Sequence, residues 1–312
     1  MFQTTFLGTS ASAPSFHRGL SSHLVQHDEH RFLIDCGEGT QRQILQSGLG
    51  FKRLNRILIT HGHLDHILGL AGLISTLSRW ETMNDIEIVG GAQALERIDD
   101  LLFKVVFRGV RPPINISLKP IKEGLIFDEG DFTISAFPVF HRGPDCFGYL
   151  FEEKPRRPFL AKKAADLAIP PGPWRKSLVD GNTVTLPDGR NIKPDQVLGP
   201  KRIGTRFAHV GDTGRTDNFL DIVRGVDTLV IEATYLQEDA DMALKFAHLT
   251  AHQAAIFAKE AEIGHVLVTH ISRRYRERDI VAEIRAAYQH ASVARDFDSY
   301  QIRRGECVRV SK

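Results

Sequence analysis

The chain has 312 residues, 42% apolar and 25% charged, with a formal net charge of +2. These are the proportions of an ordinary soluble globular protein, with room for one large α/β domain or two smaller ones. A charge so near zero demands no polyanionic partner for the chain as a whole, so any basic contact surface must be local.

The opening residues, MFQTTFLGTS, have no basic run followed by an apolar stretch, so no signal peptide is expected and the protein is read as cytoplasmic. No segment approaches the roughly 18 consecutive apolar residues of a membrane-spanning helix. Cys36, Cys146 and Cys307 lie far apart and form no CxxC, which points to free thiols with no disulfide partner.

Short β-branched runs alternate with amphipathic stretches, the pattern of a layered α/β fold. Predicted strands are Thr4–Leu7, Phe32–Asp35, Arg56–Thr60, Ile86–Val89, Phe132–Phe137, Phe207–Val210, Thr228–Glu232 and Val266–Thr269. Predicted helices are Thr40–Gln46, Ile67–Leu77, Ala92–Val105, Thr216–Arg224, Ala251–Glu262 and Glu277–Gln289. Thr250 and Gln253 stand at capping-box spacing before the fifth helix. The stretch Ile67–Ile74 is apolar on nearly every side, as a helix pressed onto a sheet would be.

One segment differs. Residues 152–202 are rich in Pro, Gly, Lys and Arg, with PPGPW at Pro170–Trp174 and a turn at Pro187-Asp188-Gly189. A small hairpin, Thr183–Leu186 against Arg190–Ile192, is its best local structure. Too few apolar residues are present for a core of its own, so it reads as a protruding arm inserted between residues 1–151 and 203–312. It carries Lys154, Arg156, Arg157, Lys162, Lys163, Arg175, Lys176, Arg190, Lys193, Lys201 and Arg202 against six acidic residues. Such an excess suits phosphate contacts to a folded RNA, although composition alone fits a solvated charged loop equally well.

The strongest chemical signal is His61-Gly62-His63-Leu64-Asp65-His66, directly after the run RILIT. Two imidazoles two residues apart can point the same way from an extended segment. Asp65 and His66, on the next turn, face a neighbouring position. One loop thus offers ligands to two metals, and imidazole with carboxylate suits zinc, with Mn²⁺ or Fe²⁺ as substitutes. Gly62 is expected to relieve crowding among the ligands. Further ligands must come from other strand ends. His141, Asp212 in GDTG and His270 are available there, and the two oxygens of Asp212 could bridge two ions.

These motifs resemble ribonuclease Z (tRNase Z), a family of the metallo-β-lactamase superfamily, over nearly the whole chain. The likeness runs through FLGTS (Phe6–Ser10), IDCGEGTQ (Ile34–Gln41), the HGHLDH element, His141 with its downstream GYLFE, GDT (Gly211–Thr213), EAT (Glu232–Thr234), HLT (His248–Thr250) and THISRRY (Thr269–Tyr275). HxHxDH marks the superfamily, and the other motifs together mark the family. The resemblance implies an α/β fold, an αββα sandwich with two Zn²⁺ at one edge. One ion would be held by His61, His63 and His141, the other by Asp65, His66 and His270, with Asp212 shared and Asp35 orienting ligands from behind.

The implied reaction removes the 3′ trailer from precursor tRNA and leaves a 3′-hydroxyl on the tRNA. Asp65 would take the proton of the attacking water, and His248, oriented by Glu232, would protonate the leaving 3′-oxygen. The arm, with its Gly172-Pro173 element followed by Arg175 and Lys176, would grip the tRNA. The resemblance also suggests a homodimer in which one subunit's arm serves the other's site.

This chain departs from the family in the loop that handles the RNA 3′ end. Pro14, Arg18 and Ser21-Ser22 are present, with Arg18 an RNA-contact candidate, but Gly19 stands in the usual Asn position and Phe16-His17 replace a basic residue. Ile231 replaces the family's His before EAT. Two rival readings compete: a small-molecule phosphodiesterase or other hydrolase of the superfamily, and a non-catalytic RNA-binding protein. The arm and the Glu232/His248 pair speak against the first. The complete ligand set speaks against the second.

Overall fold

Period-two alternation in the strands sends consecutive side chains to opposite faces, and here both faces are apolar. Phe2, Phe6, Val25, Phe32, Ile34, Leu58 and Val89 bury into one cluster, while Leu7, Leu24, Leu33, Ile57 and Ile88 bury into another. The same split occurs further along, with Val230 and Leu267 in the first cluster and Leu229, Ile231, Val266 and Val268 in a third. Strands buried on both faces require a layer packed on each side, so two such sheets stack between two outer layers.

The computed structural model describes residues 1–79 and 83–310. Among these residues lie two large sheets. One has the spatial order Glu306–Val310, Ser299–Arg303, Phe2–Gly8, Ser22–His27, His30–Ile34, Arg56–Leu58, Asp85–Gly90 and Asn115–Pro120. The other runs Ala291–Val293, His265–Thr269, Thr228–Glu232, Arg206–His209, Phe147–Glu153, Phe132–Pro138 and Gly124–Asp128. The shared inner cluster packs aromatic edges across the sheets, with Phe2 5.6 Å from Phe132 and Phe32 6.0 Å from Phe151. The outer clusters take in the helices Thr40–Ser47, Leu70–Arg79 and Ala92–Asp99 on one side, and Ala251–Glu260 and Glu277–Ala287 on the other. The result is the αββα sandwich of the metallo-β-lactamase fold. No helix among the described residues is long and apolar enough to cross a membrane, and the three cysteines are free.

The differences from the sequence reading have physical causes. The helix expected over Ile67–Leu77 is two pieces, Leu64–Ile67 and Leu70–Arg79. The break falls beside Gly69, which lies so close to Gly37 that a Cβ would meet its carbonyl oxygen at 2.0 Å. The helix expected over Ala92–Val105 holds α geometry only to Asp99 and continues as a π-helix over Asp100–Val106. The fourth predicted helix shrinks to Leu220–Val223. The predicted capping box does form, with Thr250 and Gln253 bonding reciprocally.

Residues Glu153–Gly204 form a separate compact unit, the rest of the chain the other. Contrary to the sequence reading, this unit has a core. The helices Ala161–Asp166 and Pro173–Val179, with the pair Val184–Thr185 and Asn191–Ile192, pool Ala164, Ile169, Leu178, Val184, Leu186, Ile192 and Val197 into one buried cluster. These residues are scattered along the sequence and meet only because two short helices and a hairpin converge.

Candidate functional site

Five strands that pair in parallel end at one place. Asp35 follows His30–Ile34, His61 follows Arg56–Leu58, Asp212 follows Arg206–His209, and His270 follows His265–Thr269, while Glu232 closes Thr228–Glu232. Open-sheet sites gather at the carboxyl ends of parallel strands, and this one draws on both sheets. Two of the residues need unusual backbone there, since Asp35 and His270 have φ of 58° and 56°.

Two clusters of donor atoms result, with a third group, Asp212, His248 and His270, that shares a residue with each. His61, His63, His141 and Asp212 bring ligand atoms within 4.8 Å of one another, and so do Asp65, His66 and His270. His61 Nε2 lies 2.9 Å from His63 Nδ1, which is 3.3 Å from His141 Nε2. Asp212 reaches both clusters. Its Oδ2 is 3.7 Å from His61 and 3.4 Å from His66, and its Oδ1 is 3.3 Å from His270. Donors about 2.0–2.1 Å from a tetrahedral ion stand about 3.3 Å apart, so these separations suit bound metal. The buried Nε2 atoms of His66 and His270 have no hydrogen-bond partner, a costly arrangement for a protein unless an ion uses those lone pairs.

The inward orientation of the imidazoles other than His63 is set by the bond behind each. Two buried carboxylates do this in the same way. Asp35 accepts directly from His66 Nδ1 at 2.7 Å and from Thr60 Oγ1 at 2.8 Å, and that hydroxyl oxygen accepts from His61 Nδ1 at 3.1 Å. Glu232 accepts directly from His248 Nδ1 at 2.8 Å and from Thr234 Oγ1, whose oxygen accepts from His270 Nδ1 at 2.9 Å. Backbone amides complete both sets, Thr60 N on Asp35 and Thr213 N and Leu249 N on Glu232. His141 donates from Nδ1 to the Ala247 carbonyl at 2.7 Å. For His61, His66, His141 and His270 this holds Nδ1–H outward and turns Nε2 towards the cluster, where its lone pair can face an ion; His248 also holds Nδ1–H outward, so a proton it delivers sits on Nε2 of the imidazolium.

Electrostatics follow from burial and these carboxylates. Burial depresses His61, His141 and His63, the last to about 4. Burial would also lower His66, but Asp212, Asp35 and Asp65 outweigh it and hold the imidazole well above its usual range. Asp65, which burial alone would raise, is held well below the carboxylate range by His66 and His270. His248 is pulled down by burial, yet Glu232 prevails and lifts it to about 9.

The sequence missed the threonines that link carboxylate to imidazole, although Thr60 and Thr234 sit inside RILIT and EAT. It also missed Ser12, whose backbone amide donates to Asp65 Oδ2 at 2.9 Å and carries no sequence signal. Gly62 clears a different neighbour from the one expected: a Cβ there would meet Ala94 of the helix Ala92–Asp99 at 3.0 Å, not the ligands. Arg18 is turned inward, its guanidinium bonded to Thr9, the Ala294 carbonyl and Glu277. Arg175 likewise donates to the Ile169 carbonyl, whereas Gly172, Pro173 and Lys176 are exposed.

Paired imidazole–carboxylate clusters at the strand ends of an αββα sandwich define a divalent-metal hydrolase of the metallo-β-lactamase fold. Comparison with known proteins agrees. A family model described as anti-Pycsar protein Apyc1 matches residues 2–151, and one described as a β-lactamase superfamily domain matches residues 187–271. The chain is 45% identical to ribonuclease Z of Bradyrhizobium diazoefficiens, with 96% of this chain and 99% of that one aligned. It is 35% identical to ribonuclease Z of Archaeoglobus fulgidus, covering 97% and 98%. The crystal structure of human tRNase Z, short form, superposes with a TM-score of 0.68 at 25% identity, over 96% of this chain and 99% of that one. The chain therefore belongs to the ribonuclease Z family, and it is an endoribonuclease.

Proposed function

We propose that this protein is the zinc-dependent endonuclease that cuts the 3′ trailer from precursor tRNA and leaves a 3′-hydroxyl on the tRNA. The observation that carries the reading is the Glu232–His248 pair beside the donor clusters. Glu232 is 1% exposed and fully engaged by hydrogen bonds, so it holds His248 Nδ1 rigidly. His248 Nε2 has no hydrogen-bond partner among the described residues, so it is available to deliver a proton.

His61, His63 and His141 would hold one ion, Asp65, His66 and His270 the second, and Asp212 both. Two zinc ions bound there would supply positive charge for the phosphodiester and acidity for the attacking water. Asp65 accepts the proton of that water, and Asp35 keeps His66 oriented. His248, as the imidazolium that Glu232 stabilises, would protonate the departing 3′-oxygen from Nε2. Manganese or iron could occupy the same donors. The basic unit 153–204 contacts the tRNA body through exposed lysines, and the active species is a cytoplasmic homodimer, whose mass would be twice the 35.0 kDa of the chain.

The test is incubation of the purified protein with precursor tRNA and, separately, with bis(p-nitrophenyl) phosphate, alongside elemental analysis. Cleavage of the precursor at its 3′ side with about two zinc ions per chain is expected. Hydrolysis of the small ester alone would sink the RNA reading and favour a small-molecule phosphodiesterase.

A further inference from the structure

Two chain segments meet beside His248 in consecutive rungs. The first rung is the hydrogen bond from His141 Nδ1 to the Ala247 carbonyl, 2.7 Å long. The second is the next residue on each side, with the Arg142 guanidinium 5.7 Å over the ring of Phe246. Phe246 ends the helix Ala240–Phe246, and Ala247 then turns through φ 54°, so the chain passes directly from the ring to His248. The turn is fixed from below, because Gly214 packs so tightly that a Cβ would lie 2.8 Å from Ala247. Arg142 is thereby held in register with the proposed proton donor.

Among the described residues its charge meets only the face of Phe246. Arg142 is exposed and makes no ion pair among the described residues. The residue before it, His141, has its ring 5.0 Å from that of His248, and the Tyr235 ring lies 6.1 Å from His248 on its own side. A guanidinium lying on an aromatic face keeps its N–H edge open, and that edge matches the two oxygens of a phosphodiester.

We propose that Arg142, positioned by Phe246, binds the RNA phosphate on the leaving-group side of the cut. This is the linkage 5′ of the nucleotide whose 3′-oxygen receives the proton from His248. The inference rests on the phosphodiester-cleaving reading above, and it identifies a specificity contact for a polynucleotide that a single small diester cannot make.

The test uses the full-length, metal-loaded protein with precursor tRNA, either native or carrying one uncharged methylphosphonate at that linkage. Arg142→Gln should lower kcat/KM on the native precursor roughly 10- to 100-fold, the size of a lost charge-assisted hydrogen bond, with metal content and Tm as in the parent. Arg142→Lys should recover only part of the loss, since an ammonium lacks the planar fork. The methylphosphonate should slow the parent by a similar factor and Arg142→Gln by no further factor. Phe246→Leu should raise KM with little change in kcat, as expected for a residue that acts through Arg142. Parent-like cleavage of the native precursor by Arg142→Gln would overturn the proposal, and so would equal slowing of parent and variant by the methylphosphonate. A parent protein inert on the native precursor would overturn the functional reading itself, and this contact with it.

Discussion

The body of the chain and the inserted unit 153–204 treat charge in opposite ways. In the body, Asp35, Asp212 and Glu232 are 1%, 3% and 1% exposed; Asp35 and Glu232 accept several hydrogen bonds, and Asp212 is ringed by imidazoles. A buried charge is tolerable only when it is paired, so each of these carboxylates dictates where its imidazoles sit. In the inserted unit, Lys162, Lys163 and Lys176 are exposed, and the Arg190–Asp188 pair is about half-exposed on both sides. Charges in water are screened and nearly interchangeable. Buried charge specifies geometry, one residue at a time; surface charge supplies attraction, summed over many residues.

That contrast is sharpest when the proposed shared ligand is removed. Asp212→Ala should abolish activity and strip metal from both clusters, and His63→Ala should release the ion of its own cluster, both read by elemental analysis. Retention of two ions by Asp212→Ala would break the shared-ligand assignment. Next in size is His248→Ala, which should keep both ions and RNA affinity while kcat falls roughly 10²–10⁴-fold. Loss of metal from that variant would instead make His248 a ligand, a role its proximity to Asp212 and His270 makes worth checking.

Smaller effects are expected one bond further out. Thr234→Val and Thr60→Val each remove a hydroxyl that links a buried carboxylate to an inward-facing imidazole. Each should weaken metal affinity or activity roughly 10- to 100-fold, measured by chelator competition. If both behave like the parent, the carboxylate–threonine–imidazole relay has no functional weight.

The inserted unit should respond only in bulk. Replacing residues 160–193 with a Gly/Ser linker should weaken precursor binding and flatten its salt dependence, each lost phosphate contact removing about 0.7–0.9 from the log–log slope. Hydrolysis of bis(p-nitrophenyl) phosphate should stay within a few-fold of the parent. Lys176→Gln alone should move the slope by no more than about one such contact. Unchanged kcat/KM on precursor tRNA by the folded, metal-loaded deletion protein would end the RNA-binding role of this unit.

Much of the site could be read in one dimension because its chemistry is locally dense. Three histidines and an aspartate within six residues leave little alternative to metal, and His141, Asp212, His248 and His270 stand in short motifs at the ends of apolar runs. The β-branched runs likewise marked eight of the strands. They missed Ser22–His27 and Phe147–Glu153, interior strands whose Ser, His, Gly and Glu residues interrupt the apolar run, and half-exposed ones such as Asn115–Pro120 and Glu306–Val310, where the apolar signal is diluted.

What sequence alone determined was the donor inventory and the layered class of the fold, because both depend on residue type and short-range spacing. Tertiary structure decided the rest. Only the meeting of distant strand ends could show that Thr60 and Thr234 relay two carboxylates to His61 and His270, or that Ala247 orients His141. Only packing could show that Arg18 is consumed inside the protein while Arg142 is left with its charge unspent. These outcomes depend on which groups are close in space, and a hydrogen bond between residues 106 positions apart, like that of His141 with Ala247, leaves no periodicity in the chain to read.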